Sequence, residues 1–481
     1  MRRDRRDRRD GRGAAGCFLR TLLVLALLLV AAGAFAGFYT GASPRVTVKP
    51  TKPGIGRNTP IQIRIEDPQR VEKVRVEVVQ GSDVKPVMEK TFTPQPAWKM
   101  WGGPPPVEMT ANVGRETVQG LRAGDAIVRV TAERAGAMLR RPEPVVQEVK
   151  LPVRLAPPSL QILSNFHYVN QGGAEAIVYR VGEGAVRDGV QAGSWWFPSF
   201  PMPGNDKQLR FAFFAVPYDM DDASKVRLVA EDEVGNRAEA GFIDKFTPRP
   251  IKTDTIEVND RFMNKVVPEI LSQSPEIADK GDLLQNYLQI NRELRKKNAQ
   301  LLKELGAKSE RKFLWTQPFL PMPNAAITAA FADRRTYVYN GKDVDQQDHL
   351  GFDMASVERD AIPASNAGKV VLARFFGIYG NAVVIDHGYG VQSLYGHLSS
   401  VAVQEGQTVK RGQELGRSGA TGLALGDHLH FTMLLQGLPV SPVEWWDPHW
   451  IQDRLERKLG PALPYLEGAA PAPAATPAGA P

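Results

Sequence analysis

Hydrophobic and polar residues alternate with a period of two from Pro44 to about Leu155. The runs RVTVKP, PIQIRIED, KVRVEVVQ and DAIVRVTAE are each bounded by glycine, proline or acidic residues. Because successive side chains of a β-strand point to opposite faces, this pattern predicts half-buried strands. No long helical period interrupts them. We therefore predict an antiparallel β-sandwich over residues 44–155.

Residues 156–250 repeat the strand pattern. LRFAFFAVPYD and KVRLVAEDEVGNRAEAGF read as strands, and the second contains a Val-Gly-Asn turn at 234–236. This hairpin resembles the closing hairpin of many bacterial immunoglobulin-like domains, so we predict a second module of that kind. The stretch SWWFPSFPMPG places Trp195, Trp196, Phe197 and Phe200 among prolines. We interpret it as packed core, with an exposed ligand-gripping loop as the alternative.

The period changes to that of a helix within residues 253–311. In DLLQNYLQINRELRKKNAQLLKELG, apolar side chains recur at helical spacing. Asp282, with a glutamine three residues later, predicts a capping box at the start, and Gly306 predicts the C-cap. Asn291 and Asn298 fall on the apolar face. We therefore favour a helical linker packed on its own chain over a coiled-coil dimer.

Residues 312–450 return to short strands and glycine-rich turns, which predicts an antiparallel β-sheet domain. The composition of residues 461–481 predicts a disordered Pro/Ala tail. The predicted fold class is thus mainly β: two N-terminal immunoglobulin-like β-sandwich modules, a helical linker and a C-terminal antiparallel β-sheet domain.

The N-terminus combines a basic arm, residues 1–16, with an apolar segment, residues 17–40. The arm supplies much of the net charge of +7 of the 481-residue chain, so this charge does not indicate nucleic-acid binding. From Thr21 to Tyr39 the chain is uncharged and long enough to cross a bilayer once, with arginines before it. We favour an uncleaved transmembrane signal anchor; a signal peptide with Ala34-Phe35-Ala36 as its cleavage site is the alternative. Both predict export, and the anchor predicts a single-pass inner-membrane protein with an extracytoplasmic domain.

Five of the seven histidines lie between residues 349 and 430. His349 precedes Asp353 by four residues in HLGFD, His397 lies in LYGHLSS, and His428 and His430 form an H-x-H in GDHLHF. Side chains two apart on a strand share a face, so the last two imidazoles should stand side by side. Imidazole nitrogens with a carboxylate suit zinc, and a catalytic zinc site uses three protein ligands. Spacing alone does not tell which histidine binds metal.

HLGFD, YGHLS and GDHLHF resemble the motifs of the LytM/lysostaphin-type zinc metallopeptidases, which cut peptide bonds in bacterial peptidoglycan. The connecting phrases FADRR, AGKVVLARFFGIYGNAVVIDHGYGVQSLYGHLS and VQEGQTVKRGQELGRSGATGLALGDHLHF are similar as well. The resemblance runs in order over residues 325–447 and does not cover residues 40–250. It implies that residues 312–450 form a zinc peptidase domain with a β-sheet of the duplicated hybrid motif type.

Carried over by position, the resemblance implies that His349, Asp353 and His430 are ligands of a Zn²⁺ cofactor. It implies that His397 and His428 are the catalytic histidines, one acting as a base on water and the other stabilising the oxyanion. The sequence leaves their division of labour open. The segment after the aspartate, MASVERDAIPAS, is longer and more charged than is usual in the family, so we expect it to reshape one wall of the groove. The remaining histidines are interpreted as structural: His167, His387 and His449.

Three functions are compatible with these motifs. The first is a zinc-dependent endopeptidase whose substrates are peptidoglycan stem peptides. The second is a non-hydrolytic LytM-like regulator or peptidoglycan-binding protein that activates other cell-wall hydrolases. Regulatory members have typically lost metal ligands, whereas this chain keeps all five positions, so we favour the enzyme. The third is a carrier domain, which VQEGQTVKRGQELG resembles; Lys410-Arg411 is a poor match to the modifiable lysine and the reading leaves the histidines unexplained.

The front half supports weaker expectations. The two β modules are interpreted as a spacer that sets the reach of the peptidase, as a cover over its groove, or as a docking site for a protein partner. The peptide bond that is cut stays open between D-alanyl–diaminopimelate and glycyl bonds.

Overall fold

The computed structural model describes residues 11–96, 99 and 103–465. Most of the predicted basic arm and of the predicted Pro/Ala tail lies outside these residues. The chain divides into two compact units, one formed by Met1–Pro157 with Glu231–Arg237 and the other by Pro158–Ala230 with Ala238–Pro481.

The first unit begins with helix α1, Gly11–Phe38. Among the residues that the structure describes, no helix combines the length and the apolar character needed to cross a bilayer. The predicted transmembrane signal anchor is therefore not supported.

The rest of the first unit is the predicted β-sandwich. Its strands are β1 (Arg45–Pro50), β2 (Thr59–Glu66), β3 (Val71–Gln80), β4 (Asp83–Thr91), β5 (Val107–Val113), β6 (Gly124–Arg134) and β7 (Val145–Val153). They form a sheet of order β1-β2-β5 and a sheet of order β4-β3-β6-β7. The alternation along β2 puts Ile61, Ile63 and Ile65 in the core, each at most 1% exposed. Burial of such a side chain stabilises the fold by about 1.5–3 kcal/mol, which explains why this pattern determines the register.

The second β module belongs to the second unit except for Glu231–Arg237, which is counted with the first unit. Its strands are β8 (Leu160–Ile162), β9 (Tyr168–Asn170), β10 (Ala174–Val181), β11 (Ala185–Ala192), β12 (Trp195–Pro198), β13 (Phe200–Pro201), β14 (Leu209–Ala215), β15 (Val226–Asp232), β16 (Arg237–Ala240) and β17 (Lys245–Thr247). Two four-stranded sheets result, of order β13-β14-β10-β8 and β12-β11-β15-β16. The predicted turn at 234–236 is present, with Gly235 at φ +84°. A two-sheet module is what the sequence pattern predicts.

The aromatic stretch at 195–200 is mostly packed core. Phe197 and Phe200 are buried, as interpreted from the sequence. Trp196 is partly exposed and lies 3.9 Å from the guanidinium of Arg187. Trp195, in contrast, lines a cleft that also contains His349 and His430.

The predicted helical linker contains one strand and three helices. These are β18 (Thr253–Glu257), α2 (Asp260–Gln273), α3 (Leu283–Gln289) and α4 (Arg295–Ala307), with a π-helical turn at Ile290–Leu294 between the last two. Asp282 caps α3 as predicted, accepting a hydrogen bond from the Gln285 N–H at 2.8 Å. Asn298 accepts a hydrogen bond from the Ile378 N–H at 3.1 Å. The helices therefore pack on their own chain, as favoured from the sequence over a coiled-coil dimer.

The predicted C-cap at Gly306 is wrong, because α4 continues to Ala307. A Cβ atom at Gly306 would lie 2.6 Å from the carbonyl carbon of Gln436 and 2.7 Å from the nitrogen of Gly437. The glycine is thus required by close packing of the helix on a β-hairpin, and not by a change of backbone hand at the helix end.

The C-terminal domain is built mainly on antiparallel strands, and the linker strand β18 joins it by parallel pairing. Its strands are β19 (Ala326–Ala329), β20 (Asp333–Tyr339), β21 (Lys342–His349), β22 (Phe352–Ala355), β23 (Ala361–Pro363), β24 (Gly368–Phe375), β25 (Asn381–Gly388), β26 (Val391–Leu398), β27 (Ser400–Val401), β28 (Thr408–Val409), β29 (Glu414–Arg417), β30 (Leu429–Leu435) and β31 (Leu438–Val440), followed by helices α5 (Pro442–Trp446), α6 (Pro448–Trp450) and α7 (Arg457–Leu459). The large sheet has the order β19-β22-β30-β26-β25-β24-β28, with β31 paired to β30. A second sheet, β18-β20-β21, includes the strand from the linker, and a third has the order β23-β29-β27. The mainly β fold class is confirmed.

The second β module and the C-terminal domain share one hydrophobic core. The rings of Phe211 and Phe313 stack at 6.2 Å, and Phe200 lies 4.7 Å from Tyr389. A buried ion pair joins Glu175 to Lys458 at 2.9 Å. The second β module therefore packs directly against the C-terminal domain.

Candidate active site

Adjacent strands bring the chemically important side chains together. Asp353 of β22 is paired with His430 of β30, and His430 is paired on its other side with Gly396 of β26. His397 is therefore next to this row, and His349 ends β21. His428 precedes β30 and forms a bridge with Gly419. The structure thus gathers all five residues singled out from the sequence.

Three of these residues point one ligand atom each at a common position. His349 Nε2 lies 2.9 Å from Asp353 Oδ1 and 3.1 Å from His430 Nδ1, and His430 Nδ1 lies 2.9 Å from Asp353 Oδ1. Ligands about 2.1 Å from a tetrahedral zinc lie roughly 3.4 Å apart, so this spacing is close to that of a metal-binding triad. His349, Asp353 and His430 form a cluster that could hold a metal ion.

The other ring nitrogens indicate which atoms face that position. His349 Nδ1–H donates to the carbonyl oxygen of Ala330 at 3.0 Å. His430 Nε2–H donates to Thr432 Oγ1 at 3.0 Å, because the hydroxyl hydrogen of Thr432 is itself given to the Leu350 carbonyl at 2.9 Å. In the neutral tautomers, two nitrogen lone pairs and one carboxylate oxygen converge with no hydrogen among them. A cation satisfies all three acceptors, so the donor set fits a metal ion.

The electrostatics of the cluster agree with deprotonated ligands. Burial favours a raised pKa for Asp353, but attraction to His349 and the polar contacts with His349, His428 and His430 hold this pKa well below its usual range. Burial lowers the pKa of His430 to about 4, against the opposing effect of Asp353. The carboxylate is therefore charged and the His430 ring neutral near pH 7, as metal ligation requires.

His397 and His428 stand beside the triad as a pair. Their ring centroids are 4.9 Å apart. His397 Nδ1–H donates to the Thr421 carbonyl at 2.8 Å, and His428 Nδ1–H donates to the Gly426 carbonyl at 2.8 Å. Both rings thus keep Nε2 available for other partners, and His428 Nε2 lies 3.5 Å from Asp353 Oδ1. Two anchored imidazoles in this position can transfer protons or donate hydrogen bonds.

The two rings differ in their protonation preference. Burial, followed by the charges of His428 and His430, places the pKa of His397 well below its usual range. For His428, burial is outweighed by the hydrogen bond and charge of Asp353, so its pKa is raised. His397 also has φ +65°, a conformation that costs a non-glycine residue free energy and is found preferentially at functional sites. A neutral and a more basic imidazole therefore lie side by side.

The other histidines are placed away from this cluster. His387 is fully buried, donates from Nδ1 to the Ala367 carbonyl at 2.8 Å and lies 2.8 Å from Ser393 Oγ through Nε2. His167 lies 2.8 Å from Ser164 Oγ through Nε2. His449 has an 88% exposed side chain. Each has the environment of a structural or surface residue.

Sequence reasoning missed several side chains that complete the site. Arg335 Nη2 donates to Asp353 Oδ2 at 2.8 Å, which leaves Oδ1 directed at the two histidines. Thr432 holds the His430 ring from behind, and Tyr379 packs against the same ring at 5.4 Å. Arg335 lies in the phrase FADRR, whose resemblance to the family could have marked this arginine as part of the site. No spacing rule, however, linked Arg335 to Asp353.

The cluster lies in a cleft of about 520 Å³. Residues from the second module, the helices and the C-terminal domain line it together, among them Trp195, Arg295 and His428. From the segment MASVERDAIPAS, the cleft receives only Ala355, while Arg359 N–H donates to the cleft residue Asp427 at 3.2 Å. The expected reshaping by this segment is thus largely indirect.

Comparison with known proteins places the site in a family. Residues 347–442 match the model of Peptidase family M23. The chain is 36% identical over 118 residues to the peptidoglycan DD-endopeptidase ShyB of Vibrio cholerae, covering 24% of this chain and 27% of that protein. It is 41% identical over 95 residues to the DD-carboxypeptidase/endopeptidase Mpg of Neisseria meningitidis, covering 20% and 22%. It is 35% identical over 95 residues to the murein hydrolase activator EnvC of Escherichia coli, covering 20% and 23%.

The chain spans about a quarter of the length of these relatives. All five clustered residues lie within residues 347–442, so the candidate site belongs to the part of the chain that matches Peptidase family M23.

Proposed function

We propose that the protein is a zinc-dependent endopeptidase that cuts peptide cross-links of bacterial peptidoglycan. The observation that supports it most is the convergence of three acceptor atoms from His349, Asp353 and His430 beside two further imidazoles. A metallopeptidase needs a metal site with an open position and proton-transfer groups next to it, and both are features of this arrangement.

The proposed roles follow from the hydrogen bonds. His349 Nε2, His430 Nδ1 and Asp353 Oδ1 would hold Zn²⁺, which when bound supplies Lewis acidity and makes water a stronger acid. His397 and His428 use their Nδ1–H groups to contact backbone carbonyls, so their Nε2 atoms face substrate. His428, whose Nε2 lies 3.5 Å from Asp353 Oδ1, would donate a proton to the leaving amine. Neutral His397, with its hydrogen on Nδ1, would accept a proton from water at Nε2, and the imidazolium so formed would donate a hydrogen bond from Nε2 to an oxyanion.

The substrate class is proposed from the relatives. Two of them are described as acting on D,D-peptide bonds, one as a peptidoglycan endopeptidase. We propose the same class of substrate for this protein, namely stem peptides in cross-linked peptidoglycan. Export to the cell envelope, directed by the apolar segment before residue 40, would bring the enzyme to this substrate. Fractionation of cells that express the full chain would test the location, and N-terminal sequencing of the exported form would reveal cleavage.

A non-hydrolytic regulator is the competing function, since one relative is described as a murein hydrolase activator. Retention of all five residues favours the enzyme. In the discriminating experiment, the zinc-loaded full chain is incubated with purified peptidoglycan and the soluble products are analysed by mass spectrometry. We expect new peptide ends and loss of dimeric muropeptides. A folded protein that binds zinc, releases nothing itself and accelerates a second hydrolase would overturn the proposal.

A further inference from the structure

Arg295 lies in the wall of the cleft that contains the histidine cluster, outside the segment that matches the peptidase family. It is the first residue of α4 and directly follows the π-helical turn Ile290–Leu294. A π turn inserts an extra residue into a helix and changes the direction in which the next side chains point. Such turns occur frequently at functional sites.

The guanidinium of Arg295 is held by neutral groups. Nε donates to the backbone carbonyl of Asn291 at 3.2 Å, and Nη2 donates to Asn291 Oδ1 at 2.7 Å. Asn291 is fully buried, and its Nδ2 donates to Asp345 Oδ2 at 2.8 Å, which fixes the direction of its amide. The arginine is therefore oriented by a pre-formed network without being neutralised by it.

The nearest acidic side chain of this network is already paired. Asp345 Oδ1 accepts a hydrogen bond from Arg292 Nε at 2.9 Å. Within the described part of the chain, no ion pair joins Arg295 to a carboxylate. The two other acidic residues of the cleft wall besides Asp353 do not neutralise it either: Asp219 is exposed to solvent, and Asp427 accepts hydrogen bonds from Arg359 and Ser418.

Arg295 lines the same cleft as the residues of the candidate metal site. Tyr379 lines this cleft as well, and its ring packs against His430 at 5.4 Å. A peptide that fills the cleft would thus meet both Arg295 and the candidate metal site.

The surroundings favour recognition of a planar anion. Apolar side chains such as Leu302, Ile378 and Leu423 line the same cleft. A charge pair in such surroundings is screened less than in water. The fork of an arginine matches the two oxygens of a carboxylate, and a charge-assisted bond of this kind is stronger than a neutral one.

We infer that Arg295 is a specificity-determining residue that binds a free carboxylate of the peptide substrate. The inference rests on the proposed function, since it assigns a role within the same cleft. Peptidoglycan stem peptides fit this requirement because they contain free main-chain and side-chain carboxylates. Amidation of the recognised carboxylate removes the charge and one acceptor oxygen, so the protein discriminates between amidated and non-amidated peptides.

The test measures binding separately from cleavage. Dissociation constants are determined by calorimetry for a stem tetrapeptide and for its single-site amides, with zinc-loaded protein carrying His397→Ala to prevent turnover. We expect one amide to bind about 10- to 100-fold more weakly than the free acid. When Arg295→Gln is combined with His397→Ala, the free acid should bind more weakly by a similar factor. The acid and the amide should then have equal dissociation constants. Arg295→Lys, which keeps the charge, should retain part of the discrimination.

Lys296→Gln is the matched control, because it removes the same charge from an exposed neighbour on the helix. It should bind the peptides like the unaltered protein. The inference is overturned if no peptide binds, if every amide binds as tightly as the acid, or if Arg295→Gln still discriminates. Zinc content and circular dichroism establish that each variant is folded and loaded.

A cleavage assay with the unmutated histidine keeps the two proposals distinct. Carboxylate-dependent binding without any cleavage would support the inference and contradict the proposed enzyme. Cleavage that is equally fast for the acid and all amides would support the proposed enzyme and contradict the inference about Arg295.

Discussion

The histidines of the H-x-H motif differ in what their ring nitrogens contact. His430 Nδ1 is one of three converging acceptors, whereas His428 Nε2 stands 3.5 Å from Asp353 Oδ1 at the edge of the cluster. We therefore expect His430→Ala to lose zinc and His428→Ala to retain about one zinc per chain while losing turnover. Metal analysis and peptidoglycan digestion of each variant provide the check. The exposed His449→Ala is the control and should change neither; loss of zinc in His428→Ala would show that the two roles are assigned incorrectly.

Arg335 acts on the candidate metal site through Asp353. Its hydrogen bond to Oδ2 orients the carboxylate so that Oδ1 faces His349 and His430. Partners of metal ligands typically contribute a factor of 10–100 to metal affinity, so Arg335→Ala should weaken zinc binding by about that factor. A competition titration against a chelator measures it. Arg334→Ala, which removes a neighbouring arginine paired with Asp348, should leave the affinity unchanged; equal losses in both variants would point to a general effect of charge.

At the level of residues, the sequence was most informative for residue types that are rare in the chain. Histidines are scarce in this chain, so their clustering indicated a metal site before any contact was known. Arg335, Thr432 and Arg295 could not be assigned in the same way, because arginine and threonine are common and their roles depend on contacts made through the fold. Asp353 and His430 are 77 residues apart in sequence, and only pairing of β22 with β30 places them at 2.9 Å.

Among the elements, the helical segment shows both what periodicity predicts and what it omits. The apolar spacing and the Asp282 cap gave the helix and its start. The π-helical turn at Ile290–Leu294 was missed, since it depends on tertiary contacts such as that between Asn291 and Asp345. Gly306 was misread because the sequence marks a glycine without telling whether conformation or space requires it.

The packing of α4 on the hairpin of β30 and β31 can be tested at Gly306. A methyl group there would meet the backbone of Gln436 and Gly437, which cannot rotate away as a flexible side chain does. We expect Gly306→Ala to lower the free energy of unfolding by about 1–3 kcal/mol despite the higher helix propensity of alanine. Urea denaturation measures the change. Lys308→Ala at the exposed end of the helix is the control; a stabilised Gly306→Ala would mean that the gap between helix and hairpin is wider than described here.

In the second unit as a whole, the β module and the peptidase domain are joined by buried acidic groups. Glu444 of α5 accepts hydrogen bonds from the Ala174 N–H at 2.8 Å and from Asn170 Nδ2 at 3.1 Å, both in or beside the strands of the module. Burial raises its pKa to about 7 against the opposing effect of these donors, and the nearby Glu175 raises it further. The pKa of Glu175 is likewise raised by burial to about 7. The joint between the two parts is therefore sensitive to pH.

The sign of this dependence follows from the two pKa values of Glu444. In the folded protein the carboxyl keeps its proton up to about pH 7, whereas in the unfolded chain it loses it near the ordinary value of 4.5. The contribution to stability is thus fully present below pH 4.5 and is lost as the pH rises through 7, up to about 3 kcal/mol in total. The buried histidines, such as His430 with its pKa of about 4, push stability the other way in every variant, so the test compares proteins at each pH. Urea denaturation between pH 5 and pH 7.5 should show that Glu444→Gln gains stability relative to the unaltered protein as the pH rises, because it lacks the loss from Glu444. Glu304→Gln, on the exposed face of α4, should follow the unaltered protein at every pH; a Glu444→Gln that does the same would show that Glu444 does not contribute.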